Sequence, residues 1–71
     1  MSATKQTRVS LGFAEITTYE KNGIRTHDVF RFADGVTRIN RYIYLDDKAR
    51  QTKDPAHAHI SITEYRNGVK I

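Results

Sequence analysis

The chain reads as an all-β protein: a small antiparallel meander of four to five strands, curled into a partly open barrel or paired as a homodimer. Three observations predict this. The dipeptides Asn22-Gly23, Asp34-Gly35 and Asn67-Gly68 each suit a two-residue hairpin turn, and each lies between runs of β-branched and aromatic residues. Those runs are rich in Thr, Ile, Val, Tyr and Phe and show no helical periodicity. With no amphipathic helix to lie over a sheet, its apolar side is expected to be buried by curvature or by a second copy.

Residues 1–7, which carry Lys5 and no acid, are expected to form a flexible N-terminal arm ahead of a single β domain at residues 8–71. A long first strand, residues 8–20, contains Gly12 and a break in alternation at residues 14–16, where it has a place to bend. Asn22-Gly23 then turns the chain into a second strand at residues 24–32, and Asp34-Gly35 into a third at residues 36–45. Residues 46–56, DDKARQTKDPA, are charged and hold the only proline. They are expected to form a long charged loop, with room for one helical turn capped by Asp46 or Asp47. A fourth strand at residues 57–66 leads through Asn67-Gly68 to a short terminal strand at residues 69–71, whose outer edge is open to another strand.

Two-residue turns fix register, and register fixes faces. The first turn is expected to pair Lys21 with Ile24, Glu20 with Arg25, Thr18 with His27, Ile16 with Val29 and Phe13 with Phe32. The second pairs Phe30 with Ile39, Asp28 with Arg41, Thr26 with Ile43 and Ile24 with Leu45. Both registers agree on one apolar face of Val9, Leu11, Phe13, Tyr19, Ile24, Phe30, Phe32, Ile39, Ile43 and Leu45, joined by Ile60 and Ile62. Glu15, Asp28 and Arg41 point the same way, with Asp28 and Arg41 as a cross-strand ion pair.

Seventy-one residues make one domain. The absence of Cys excludes disulfides and thiolate zinc sites. No apolar run approaches the roughly 18 residues of a membrane helix, and residues 1–10 lack the apolar region of a secretory signal. A cytoplasmic protein with no membrane partner is therefore expected. Twelve Lys and Arg against eight Asp and Glu give a net charge of +4, and seven of the twelve cations are Arg. That balance favours an anionic partner.

Nothing resembles a nucleophile elbow, a phosphate-binding glycine loop or a catalytic triad, so the expected function is non-catalytic and needs no cofactor. The outward face is expected to gather Arg25, His27, Arg31, Arg38, Tyr42, Tyr44, His57, His59 and Tyr65, with Arg8 beside them. Aromatic planes stack on unpaired bases while Arg reaches phosphates, so this face predicts nucleic-acid binding, DNA or RNA, with single strands preferred. The same Tyr and Arg residues would also serve a protein-interaction module or inhibitor. His57-Ala58-His59 with His27 has the spacing of a three-histidine zinc site, but no Cys supports it and no metal is assigned.

Overall fold

Six strands form where four to five are expected, because the chain reverses at Gly12-Phe13 instead of bending there. The computed structural model describes residues 3–71. It contains β1 (Thr4–Ser10), β2 (Ala14–Lys21), β3 (Ile24–Phe32), β4 (Val36–Ile43), β5 (His59–Arg66) and β6 (Val69–Lys70). All six lie in one antiparallel sheet in chain order, a pure meander. The sheet is open: β1 pairs only with β2 and β6 only with β5, so no ladder closes a barrel. Leu11 and Ala14 close the Gly12-Phe13 turn by exchanging backbone hydrogen bonds of 2.7 and 3.4 Å. Residues 4–7, expected in a flexible arm, are the first half of β1; Met1 and Ser2 lie outside the described residues.

Two of the three glycine turns form as expected. Asn22 and Gly23 have φ of 54° and 78°, and Asn67 and Gly68 have 52° and 80°, the paired positive values of a type I′ turn. Asn22 also anchors β1. Its side-chain oxygen accepts from the Ala3 N–H at 3.0 Å, and its own N–H donates to the Ala3 carbonyl at 2.7 Å. The third turn differs. Gly35 has φ 94° but Asp34 is not in the positive region, so a type I′ turn is ruled out. The Gly35 N–H instead donates to the Phe32 carbonyl at 3.1 Å, and the Asp34 carboxylate accepts from the Val36 N–H at 3.1 Å. The loop is thus three residues long, 33–35, with its glycine in the left-handed position.

That extra residue moves the β3–β4 register by one. Val29 faces Ile39, Phe30 faces Arg38, Asp28 faces Asn40 and His27 faces Arg41, in place of the expected Phe30–Ile39 and Asp28–Arg41 pairs. A second shift lies inside the first glycine hairpin. Lys21 faces Ile24 and Glu20 faces Arg25 as expected, but Tyr19 then faces His27, leaving Thr26 as a bulge. Thr18 consequently opposes Asp28, Ile16 opposes Phe30 and Ala14 opposes Phe32. The expected single apolar face divides. Val9, Leu11, Phe30, Phe32, Ile60 and Ile62 stay together, while Tyr19, Ile24, Ile39 and Ile43 lie on the other side. Phe13 sits in the first turn, and Leu45 falls beyond the end of β4.

Side chains opposed across the ladders form rows on each face. On the first face, one row runs Leu11, Ala14, Phe32, Val36, Arg66, Val69, and the next Val9, Ile16, Phe30, Arg38, Glu64, Ile71. Phe30 and Phe32 stack here with ring centroids 6.2 Å apart, and the Arg38 guanidinium lies 5.3 Å from the Phe32 centroid. Ala14 and Val36 are buried in these rows.

Between β4 and β5 the charged segment is more ordered than a loop. Asp46 caps α1 (Asp47–Thr52), its carboxylate accepting from the Ala49 N–H at 2.8 Å. Lys53 ends the helix with φ 54° and donates its N–H to the Ala49 carbonyl at 2.9 Å. Asp54 then caps a 3-10 turn, Pro55–His57, by accepting from the Ala56 N–H at 2.9 Å. His57 is therefore taken out of the fourth expected strand, which starts at His59.

Because Gly35 occupies a φ that costs an L-residue about 1–2 kcal/mol, Gly35→Ala should destabilise the fold by that amount in urea denaturation. Gly12→Ala, at a position with neither positive φ nor a close neighbour, should stay within about 0.5 kcal/mol of wild type.

Candidate nucleic-acid interface

The second face of the sheet collects the chain's positive charge. Alternation along the ladders places Arg8, Lys21, Arg31, Arg41 and Lys70 on it, with Glu15 as its only carboxylate. Its surplus of four equals the net charge of the whole chain. The first face carries Lys5, Arg25, Arg38 and Arg66 against Glu20, Asp28 and Glu64, and is nearly balanced. The connections between strands hold Lys48, Arg50 and Lys53 against Asp34, Asp46, Asp47 and Asp54. Strands are about 4.8 Å apart and alternate residues about 6.8 Å apart, so the charges of the basic face spread over a field roughly 20 Å on a side.

Glu15 lies between two of these cations. Its carboxylate is 3.4 Å from Arg8 Nε and 3.9 Å from an Arg31 guanidinium nitrogen. Both pairs are solvent-exposed, and such pairs contribute about 0–1 kcal/mol each. One carboxylate cannot neutralise two guanidiniums, so this corner stays positive. Arg41 is exposed and has no acidic partner among the described residues.

Aromatic groups border the cations. Tyr19 and His27 oppose each other across β2 and β3 and stack, with centroids 4.3 Å apart and planes 13° from parallel. The bulged Thr26 orients this pair: its hydroxyl donates to the Tyr19 carbonyl at 3.2 Å and lies 3.0 Å from His27 Nδ1. Tyr65 lies in the row of Ser10, Glu15, Arg31, Thr37 and Lys70.

Of the residues expected to share one surface, His27, Arg31, His59 and Tyr65 do lie on the basic face. Arg25, Arg38 and Tyr42 lie on the opposite one, moved there by the bulge and the three-residue loop. Tyr44 follows β4 and donates its hydroxyl to the Arg25 carbonyl at 2.7 Å. His57 ends the 3-10 turn, so it does not alternate with His59 along a strand. No group of three potential metal ligands occurs among the described residues. Tyr19 and Arg41, both expected on the apolar face, lie on the basic face instead, and Lys21 joins them. Reading Ala33-Asp34-Gly35 as a three-residue loop would have turned Arg41 away from Asp28.

On the opposite face, Arg25, Asp28 and Tyr42 form a polar cluster. Asp28 is only 6% exposed and accepts a hydrogen bond from the Tyr42 hydroxyl on Oδ2, while its Oδ1 is buried without a partner. The Arg25 guanidinium lies 5.9 Å from the Tyr42 ring centroid. Burial raises the Tyr42 phenol above its usual titration range, and its hydrogen bond to Asp28 raises it further, against the opposing pull of Arg25. Burial also raises the Tyr44 phenol, opposed by Arg25 and reinforced by Asp54.

No helix among the described residues is long and apolar enough to cross a membrane. Comparison with protein families, with curated proteins and with solved structures finds no match to this chain.

Tyr42→Phe should destabilise the fold by about 1–3 kcal/mol in urea, because it leaves both oxygens of a buried carboxylate unpartnered. An upward-shifted phenol stabilises the fold below its ordinary value near 10, and that stabilisation is lost as pH rises through the shifted value. The gap between wild type and Tyr42→Phe should thus narrow in alkaline denaturation series. In tyrosinate absorbance titrations, the variant should lose one of two late-titrating components and keep that of Tyr44.

Proposed function

We propose that the chain is a non-catalytic module that binds nucleic acid, with single strands preferred, on the basic face of its sheet. The observation that carries this reading is the segregation of charge: five cations and one carboxylate share a face, while the other face is close to neutral. A polyanion responds to such a field by releasing condensed counterions, which supplies affinity without base contacts. Arg8, Arg31 and Arg41 are the phosphate contacts of this reading. Tyr65 and the Tyr19–His27 stack provide the apolar planes on which unpaired bases rest. Both kinds of group stand on strands, which hold their spacing better than loops do.

Arg41→Ala should lower the slope of log affinity against log salt for a single-stranded oligonucleotide by about one unit, with a near-uniform loss across sequences. Tyr65→Ala should weaken binding by about 1–3 kcal/mol and leave the slope almost unchanged. Lys48→Ala, in the charge-balanced segment 46–56, serves as the control and should bind as wild type does. Fluorescence anisotropy over a salt series separates these outcomes. If wild type fails to bind oligonucleotides in low salt, the reading is wrong and a protein-interaction module replaces it.

A further inference from the structure

The apolar face of the sheet has no second layer over it. Among the described residues only Ala14, Val36 and Ala49 are buried apolar residues, and α1 makes its main contacts with the 3-10 turn that follows it. Val9, Leu11, Ile60, Ile62, Val69 and Ile71 share this face and are 42% to 70% exposed. The chain as a whole exposes 5224 Å². A compact monomer of 8.2 kDa exposes about 4,500 Å² by the usual scaling, so about 700 Å² remains in excess. A stable protein interface buries about 800 Å² on each partner.

We propose that this surface is the seat of a second copy of the same chain, the two sheets stacking apolar face to apolar face about a two-fold axis. Charge selects this face over the other. Two basic faces, each with a surplus of four, repel one another. The apolar face is nearly balanced, and its central cation Arg38 is already paired with Glu64 at 3.3 Å. An isologous contact therefore brings together apolar rows with little net charge, and it leaves both basic faces on the outside.

Sedimentation equilibrium on the full chain, from micromolar to millimolar concentration and without oligonucleotide, tests the proposal apart from the nucleic-acid reading. The expected mass is twice 8.2 kDa. Ile62→Asp places a charge in the contact and should raise the dissociation constant roughly a hundredfold. Ser61→Asp, one residue away on the basic face of the same strand, should leave it within about threefold. Monomer mass at every concentration overturns the proposal. So does a dimer that both variants leave intact, which would join the copies along a sheet edge. Should Ile62→Asp fail to fold, the wild-type melting temperature decides: a rise with concentration supports the dimer and a constant value overturns it.

Discussion

The hydrogen bond from the Gly35 N–H to the Phe32 carbonyl decides which way every strand residue from Val36 onward points. It closes a three-residue loop, and side chains in a strand alternate with a period of two, so one residue more or less in the loop exchanges the faces of β4. The remaining ladders carry that choice to β5 and β6, because each strand takes its register from the one before it. Asp34 reinforces it by accepting from the Val36 N–H, which holds the loop against slipping into the shorter form. Val29 facing Ile39 and Phe30 facing Arg38 follow from this closure.

The all-β class, the meander order and the glycine hairpins were legible because their signals are local. Asn22-Gly23 and Asn67-Gly68 need only their own backbone angles, and Asp46 needs only a free N–H three residues ahead to cap α1. The faces were not legible, because they depend on counting through a turn and a bulge. Nothing in the run Ile24-Arg25-Thr26-His27 marks Thr26 as the extra residue; the stack of Tyr19 on His27 and the Thr26 hydrogen bonds to both hold it there. The two expected registers agree only where both hairpins are uninterrupted two-residue turns, and the Thr26 bulge and the 33–35 loop break that condition. Arg25, Arg38 and Tyr42 consequently lie on the surface opposite to the expected one, while Arg31 and Tyr65 lie where expected.

Separating charge from apolar area across one sheet carries a cost that the structure meets in only some places. Arg38 sits among phenyl rings, and its pairing with Glu64 and its approach to Phe32 compensate part of its desolvation. Asp28 is deeper, with one oxygen satisfied by Tyr42 and one left bare. The side-chain oxygen of Asn40, directly opposite, is buried and unpartnered as well. Asp28 and Asn40 thus leave neighbouring unsatisfied acceptors in the middle of the apolar face, and the Thr17 hydroxyl on the basic side is likewise buried without a partner.

Pairing each strand only with its chain neighbours also shapes how the molecule reaches its structure. Every ladder closes across a short connection except β4 to β5, which must bring its ends together across residues 44–58. Loop-closure entropy grows only slowly with length, and α1 shortens the free segment by fixing residues 47–52 locally. The sheet can therefore assemble by successive zippering from any hairpin, without the distant strand pairings that slow the folding of sandwiches and closed barrels. The same connectivity means that no outer strand is locked by an inner one. Fraying of β1 or β6 costs one ladder, while opening β3 costs two, so amide exchange should slow from the edges of the sheet toward its middle.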